Sequence, residues 1–188
     1  AIAGGLASFP DGFQLAVTNN LTLGGDGGIE LTNGSLQVGG SLIITNANNL
    51  RGISHVHTLP GAAFTVGNDV RVSAGTLHWY VNTTNLSSLA VGGNLVLTNT
   101  GLLYVYSGVT NSGVTNYGSL VQVTGDIWLE GNSWIYPVSN PTNGGAPFIR
   151  ARTLTVLPGA GVNAVGRGYV GKLGDAGYGP GPGGYGWN

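Results

Sequence analysis

Short runs of alternating apolar and polar residues recur along the chain, separated by Gly, Asn, Asp, Ser and Thr. The clearest pattern is apolar-x-Val, a three-residue turn, and then apolar-x-apolar, which occurs in residues 36–44, 64–72, 89–97 and 121–129. The valines of these four copies are 28, 25 and 32 residues apart. Alternation with period two predicts strands with one buried face, and the separating residues are those that turns require.

A second apolar element follows the main motif, in residues 75–81, 101–106 and 133–136. No segment has a convincing helical period. A repeat of this length, holding three short strands, is typical of one coil of a solenoid. The sequence therefore predicts an all-β fold, a parallel β-helix (β-solenoid) of about five to six coils with no significant helix. A β-sandwich is the rival fold, although it does not require one motif to recur in phase.

The repeats divide the chain into three parts. Residues 1–12 are an apolar N-terminal arm, residues 13–165 are the β-solenoid, and residues 166–188 are a C-terminal arm rich in Gly, Tyr and Pro. A solenoid has two open ends, which natural proteins cover with caps, charge or Pro. Because neither arm forms an amphipathic cap helix, each is a candidate for completing the sheets of a neighbouring copy.

The composition favours assembly. Hydrophobic residues make up 41% of the chain and charged residues 7%, against about 25% charged residues in an ordinary soluble domain. A folded body with so few surface charges associates readily unless attached sugars keep it soluble. The chain contains no Met, and its start, Ala1-Ile2-Ala3, has the character of a mature N-terminus left after cleavage. We therefore expect a secreted protein, located outside the cell or on its surface.

Several function classes are disfavoured by the residue content. The absence of Cys excludes thiol catalysis, disulfides and thiolate metal sites. Basic residues are too few and too scattered for nucleic acid, and no apolar run is long enough for a membrane span. Of the seven carboxylates, Asp69 and Asp126 occupy one repeated turn position, where Asp fits for backbone reasons. His55 and His57 resemble a metal pair but lack an evident third ligand, so no catalytic, cofactor or metal residue is predicted.

Aromatic residues recur on the second element of successive repeats. They are Trp79, Tyr80, Tyr104, Tyr106, Trp134 and Tyr136. Ladders of stacked rings stabilise a solenoid, and this is the favoured interpretation. If outward rings line one face, they could instead bind sugar rings or a neighbouring filament.

These patterns lead to a structural function. We expect a subunit of an extracellular or cell-surface filament that polymerises head-to-tail with copies of itself. The candidate assembly residues are the large apolar side chains of the two arms together with the N-terminal residue: Ala1, Ile2, Leu6, Phe9, Tyr169, Tyr178, Tyr185 and Trp187. The alternative function is a surface adhesin or carbohydrate-binding β-helix, and a glycan-active β-helix enzyme ranks third because carboxylates are so few.

Attached glycans would offset the low charge. Four Asn-x-Ser/Thr sequons mark candidate glycosylation sites, at Asn20, Asn33, Asn82 and Asn85. The Ser/Thr-rich turns are candidates for O-linked sugars.

Three phrases carry a family resemblance: residues 89–99, residues 135–145 and residues 163–169. They are similar to secreted, Gly-rich β-solenoid repeat proteins of bacterial surfaces, especially the planctomycete and verrucomicrobial type, and broadly to autotransporter passenger repeats. The resemblance covers most of the chain and implies a surface or extracellular role. It carries over no catalytic residue.

Overall fold

The structure is a computed structural model, and it describes residues 1–46, 52–57, 64–81, 88–109, 117–141 and 145–168. All regular secondary structure in these ranges consists of β-strands. The first nine are β1 (Leu6–Ser8), β2 (Gln14–Val17), β3 (Leu21–Gly25), β4 (Gly28–Thr32), β5 (Ser35–Val38), β6 (Leu42–Asn46), β7 (Gly52–His57), β8 (Phe64–Val66) and β9 (Val70–Ser73). They are followed by β10 (Thr76–Val81), β11 (Ser88–Val91), β12 (Leu95–Thr98), β13 (Leu102–Tyr106), β14 (Ser119–Val123), β15 (Ile127–Leu129), β16 (Trp134–Val138), β17 (Pro147–Arg150), β18 (Leu154–Val156) and β19 (Gly161–Val162).

The strands of the described ranges form three parallel sheets, in which each strand pairs with the strands three places earlier and later in the chain. Sheet 1 has the order β1-β4-β7-β10-β13-β16-β19, sheet 2 the order β2-β5-β8-β11-β14-β17, and sheet 3 the order β3-β6-β9-β12-β15-β18. The predicted all-β fold is confirmed for the described residues, which contain no helix, and its stacked parallel sheets are consistent with a β-solenoid.

The repeated motif is explained by the strand register. Val38, Val66, Val91 and Val123 pair in one column of sheet 2, and all four are buried. The apolar-x-apolar half of the motif forms the neighbouring strand of sheet 3, whose inward side chains are equally buried. Parallel pairing without a shift places like residues on like, so one packing solution serves successive repeats.

The corner between sheets 2 and 3 is held by a ladder of side-chain acceptors. Oδ1 of Asn20 accepts a hydrogen bond from the Ser41 backbone N–H, at 2.8 Å. Oδ1 of Asp69 binds the Asn94 N–H in the same way, at 2.8 Å, and Oδ1 of Asn94 binds the Asp126 N–H, at 2.9 Å. Each side chain therefore satisfies the backbone of its counterpart in the next repeat, which agrees with the turn role predicted for Asp69 and Asp126.

Glycine in this corner is coupled to the ladder. A Cβ on Gly40, Gly93 or Gly125 would collide with the ladder oxygen of Asn20, Asp69 or Asn94, respectively. In one repeat the position of these glycines is occupied by Asn68. The ladder residue of the repeat before it is Ser41, whose side chain is short. A glycine is thus required where the preceding repeat supplies a long acceptor.

Removing one ladder acceptor provides a stability test. Asn94→Ala leaves the part-buried N–H of Asp126 without its partner, and we expect it to lower the free energy of unfolding by about 1–2 kcal/mol in chemical denaturation. Ser41→Ala is the matched control. Ser41 occupies the same column but contributes only its backbone N–H, as a donor, so we expect the free energy of unfolding to fall by less than about 0.5 kcal/mol. Equal losses in the two variants would contradict the ladder's role.

Candidate assembly ends and aromatic face

The C-terminal end of the stack leaves core positions uncovered by the described residues. Leu154, Val156 and Val162 pair with Ile127, Leu129 and Ile135, whose side chains are at most 1% exposed. At the end of their columns, Leu154 is 52% exposed, Val156 44% and Val162 46%. Leu154 and Val162 border a cavity of about 370 Å³ that is also lined by Ile149 and Ala151.

The N-terminal end begins inside the sheets. Ile2 forms a parallel bridge with Leu23, and its N–H donates to the carbonyl oxygen of Thr22 at 2.8 Å. The predicted arm of residues 1–12 also contains β1, which pairs with β4. Within the described ranges β1 and β2 each have one edge without a neighbouring strand, whereas the corresponding edge of β3 carries the bridge from Ile2.

The predicted assembly residues of the N-terminal segment lie together at this end. Leu6 is 51% exposed, whereas Ile2 and Phe9 are partly buried against the core, and Ala1 is exposed. The ring of Phe9 stacks on that of Phe13, with centroids 4.9 Å apart. The other four predicted assembly residues, Tyr169, Tyr178, Tyr185 and Trp187, lie outside the described residues.

The aromatic residues of sheet 1 divide between the two faces according to strand alternation. Trp79 points inward and is fully buried, where its ring packs edge-on against Phe64. The outward rings form an array that we call the aromatic face, made of His78 and Tyr80 on β10, Tyr104 and Tyr106 on β13, and Tyr136 on β16.

Rings of the aromatic face stack along the direction in which the strands pair. The centroid of Tyr104 lies 4.9 Å from that of His78 on one side and 4.6 Å from that of Tyr136 on the other. Beside this column, the rings of Tyr80 and Tyr106 stack at 4.0 Å. Since each ring covers the face of its neighbour, the array presents mainly ring edges and hydroxyl groups.

Arg167 returns to this array after β19. Its guanidinium carbon lies 4.4 Å from the ring centroid of Tyr136 and 5.4 Å from that of Tyr104, which is within cation–π range. The backbone holds the segment in place, because the Arg167 carbonyl accepts the Ser139 N–H at 2.9 Å. Sequence reasoning placed Arg167 in the C-terminal arm and missed this contact, for which the linear sequence gives no signal.

Burial shifts the titration of the aromatic face. It raises the pKa of Tyr106, with a further contribution from the hydrogen bond to Tyr80, and it also raises the pKa of Tyr104. Burial lowers the pKa of His78 from its usual 6.5. At neutral pH Tyr104 and Tyr106 are therefore neutral, and the imidazole of His78 is mainly neutral.

The carboxylates of the ladder are held as ions. The backbone N–H of Asn94 is the main cause of a lowered pKa at Asp69, which also pairs with Arg71 at 2.8 Å. Arg152 forms two hydrogen bonds with Asp126, at 2.9 and 2.6 Å, and lowers its pKa. Across the described ranges, no three His, Asp or Glu side chains cluster in a way that could hold a metal. The same ranges contain no helix that is long and apolar enough to cross a membrane.

The sequon asparagines are described at two positions. Asn20 supplies the first ladder oxygen, and Nδ2 of Asn33 donates to Asp11 at 2.5 Å. A sugar attached at Asn33 would replace a hydrogen of that donor group. Asn82 and Asn85 lie outside the described residues.

No family model, curated protein or solved structure matches this chain. The resemblance to bacterial surface repeat proteins accordingly stays a prediction.

The lowered pKa of His78 predicts a pH-dependent stability. As the pH falls through 6.5 towards the folded-state pKa, the unfolded chain takes up a proton before the folded chain does, so stability is lost over this window. His78→Tyr continues the column of Tyr104 and Tyr136 without a group that titrates there. In urea denaturation between about pH 7.5 and 5 we expect the wild type to lose more stability than this variant, whereas parallel curves would contradict the assignment.

Proposed function

We propose that the three sheets close into a right-handed parallel β-helix of six complete coils, with β19 opening a seventh. The recurrence of each sheet every third strand supports this interpretation, as does the single core enclosed by the inward columns. At about 4.8 Å per strand, sheet 1 would be about 29 Å long. The proposed count lies at the upper end of the five to six coils expected from the sequence.

We further propose that the protein is the structural subunit of a filament that grows head-to-tail through the two ends of this body. The observation that carries the proposal is that the side-chain columns at the N-terminal end are in register with those at the C-terminal end. β1 of one copy placed on β19 of the next would continue sheet 1, with Ala7 in the column of Val162. Ile2 occupies the column that ends at Val156 in sheet 3. The same contact repeats without closing, which produces a filament.

The exposed core positions supply a driving force. Covering the exposed half of Leu154, Val156 and Val162 is worth on the order of 1 kcal/mol for each side chain. Strand edges that the described residues leave unpaired at both ends would add backbone hydrogen bonds on pairing. With charged residues at 7% of the chain, little long-range repulsion opposes the contact.

The proposed location is outside the cell or on its surface. It is supported by the low charge and the family resemblance. The proposed partners are further copies of the chain and attached glycans. An intact mass of native material above 19.0 kDa would support glycosylation, and an unmodified mass would remove it.

A charge placed in the joint tests the filament. In Leu154→Lys an ammonium group replaces a side chain that the next copy would bury, so we expect filaments seen by electron microscopy in the wild type to be lost. The side chain is already half exposed, so the fold of the single subunit should survive, as circular dichroism would show.

Val96→Lys is the control. This substitution adds the same charge on the outward side of β12, in the middle of sheet 3 and away from both ends. It should leave the filaments intact. A wild-type chain that stays monomeric in light scattering at micromolar concentration would overturn the proposal, and so would filaments of Leu154→Lys indistinguishable from those of the wild type.

A further inference from the structure

We propose that Arg167 and the hydroxyl groups of Tyr104 and Tyr136 form a binding site for the carboxylate of an acidic glycan, on the outward face of sheet 1. The inference is independent of filament formation, because the site lies on the side of the stack and not at its ends. It assigns a ligand and a contact group to a surface for which sequence reasoning favoured structural stacking over the binding of sugar rings.

The first argument is charge. In the described part of the chain the ion pairs are Asp69 with Arg71 and Asp126 with Arg152, and neither reaches Arg167. Nε of Arg167 is buried without a hydrogen-bond partner. An arginine held without a carboxylate is a cation whose hydrogen-bonding capacity is partly unused, and a carboxylate is the anion that its planar fork fits best.

The second argument is preorganisation. Tyr136 and Tyr104 hold the guanidinium through their ring faces, at 4.4 and 5.4 Å. Stacking occupies the face of the guanidinium, whereas its hydrogen-bond donors lie in its plane. The rings themselves are fixed by the strand pairing of β13 with β16, so little side-chain entropy is lost on binding.

The third argument is the chemistry of the surrounding phenols. Burial raises the pKa of Tyr104, which therefore remains a neutral hydroxyl group that can donate to an anion. The ring faces of the phenols are covered by neighbouring rings, which leaves edges and hydroxyls for contact. Such a row of hydroxyls suits a polyhydroxylated chain. An extended peptide would instead prefer a free strand edge, which the middle of sheet 1 does not offer.

The test is calorimetric titration of the full chain with an oligogalacturonate. We expect Arg167→Ala to weaken binding by about tenfold to a hundredfold, the range for losing charge-assisted hydrogen bonds. Arg167→Lys keeps the charge but loses the planar guanidinium, so its affinity should lie between those of Arg167→Ala and the wild type. This variant also replaces Arg167→Ala as the test if the alanine variant fails to fold. The matched control is Arg150→Ala on sheet 2, where Arg150 also lies over a ring, that of Phe148, at 5.6 Å. It should bind as the wild type does.

Three further ligands distinguish the sources of the anion. The methyl ester of the same oligosaccharide should bind at least tenfold more weakly, because it has lost the carboxylate charge. Poly-glutamate binding as tightly as the oligogalacturonate would replace the glycan with an acidic peptide, and inorganic sulfate binding as tightly would reduce the site to a general anion site. Either result overturns the proposal, as does an oligogalacturonate that fails to bind or binds Arg150→Ala and Arg167→Ala equally weakly.

Discussion

Parallel pairing of each strand with the strand three places along the chain is the constraint on which the rest of the structure depends. It requires that every third strand present the same side-chain volumes at the same register, since a shift of one residue would turn the apolar column of Val38, Val66 and Val91 outward. It also requires corners compact enough for successive repeats to stack. The sequence repeats because the pairing repeats.

The corners show how backbone and side-chain demands are met together. In parallel strands the hydrogen bonds of the sheet end where the chain turns, which leaves N–H groups that need other acceptors. Asn20, Asp69 and Asn94 supply those acceptors from the neighbouring repeat. Gly40, Gly93 and Gly125 leave room for them. The low charged fraction of the chain is compatible with this design, because the stabilising groups of the corner are mostly amides and backbone atoms.

Much of the fold follows from local pattern, whereas the side-chain clusters do not. Alternation around Val66 and Val91 identifies strands, and the repeat phase identifies which strands stack, because both depend on residues close in sequence. The same alternation separates inward Trp79 from outward Tyr80. The contact of Arg167 with Tyr104 cannot be read in this way, since it depends on where an irregular segment returns after β19. The direction of the corner ladder likewise needs the register between repeats, although its residue types mark the turn.

The coupling between ladder oxygen and glycine defines what could be exchanged between proteins of this architecture. A single repeat cut at its strand boundaries would carry Asp69 without the Gly93 that accommodates it, or Gly93 without the oxygen that fills its space. The transferable module is therefore offset from the visible repeat, running from one acceptor through the glycine of the following turn. Grafted or duplicated coils should respect that offset boundary, and natural insertions and deletions of whole coils would be constrained in the same way.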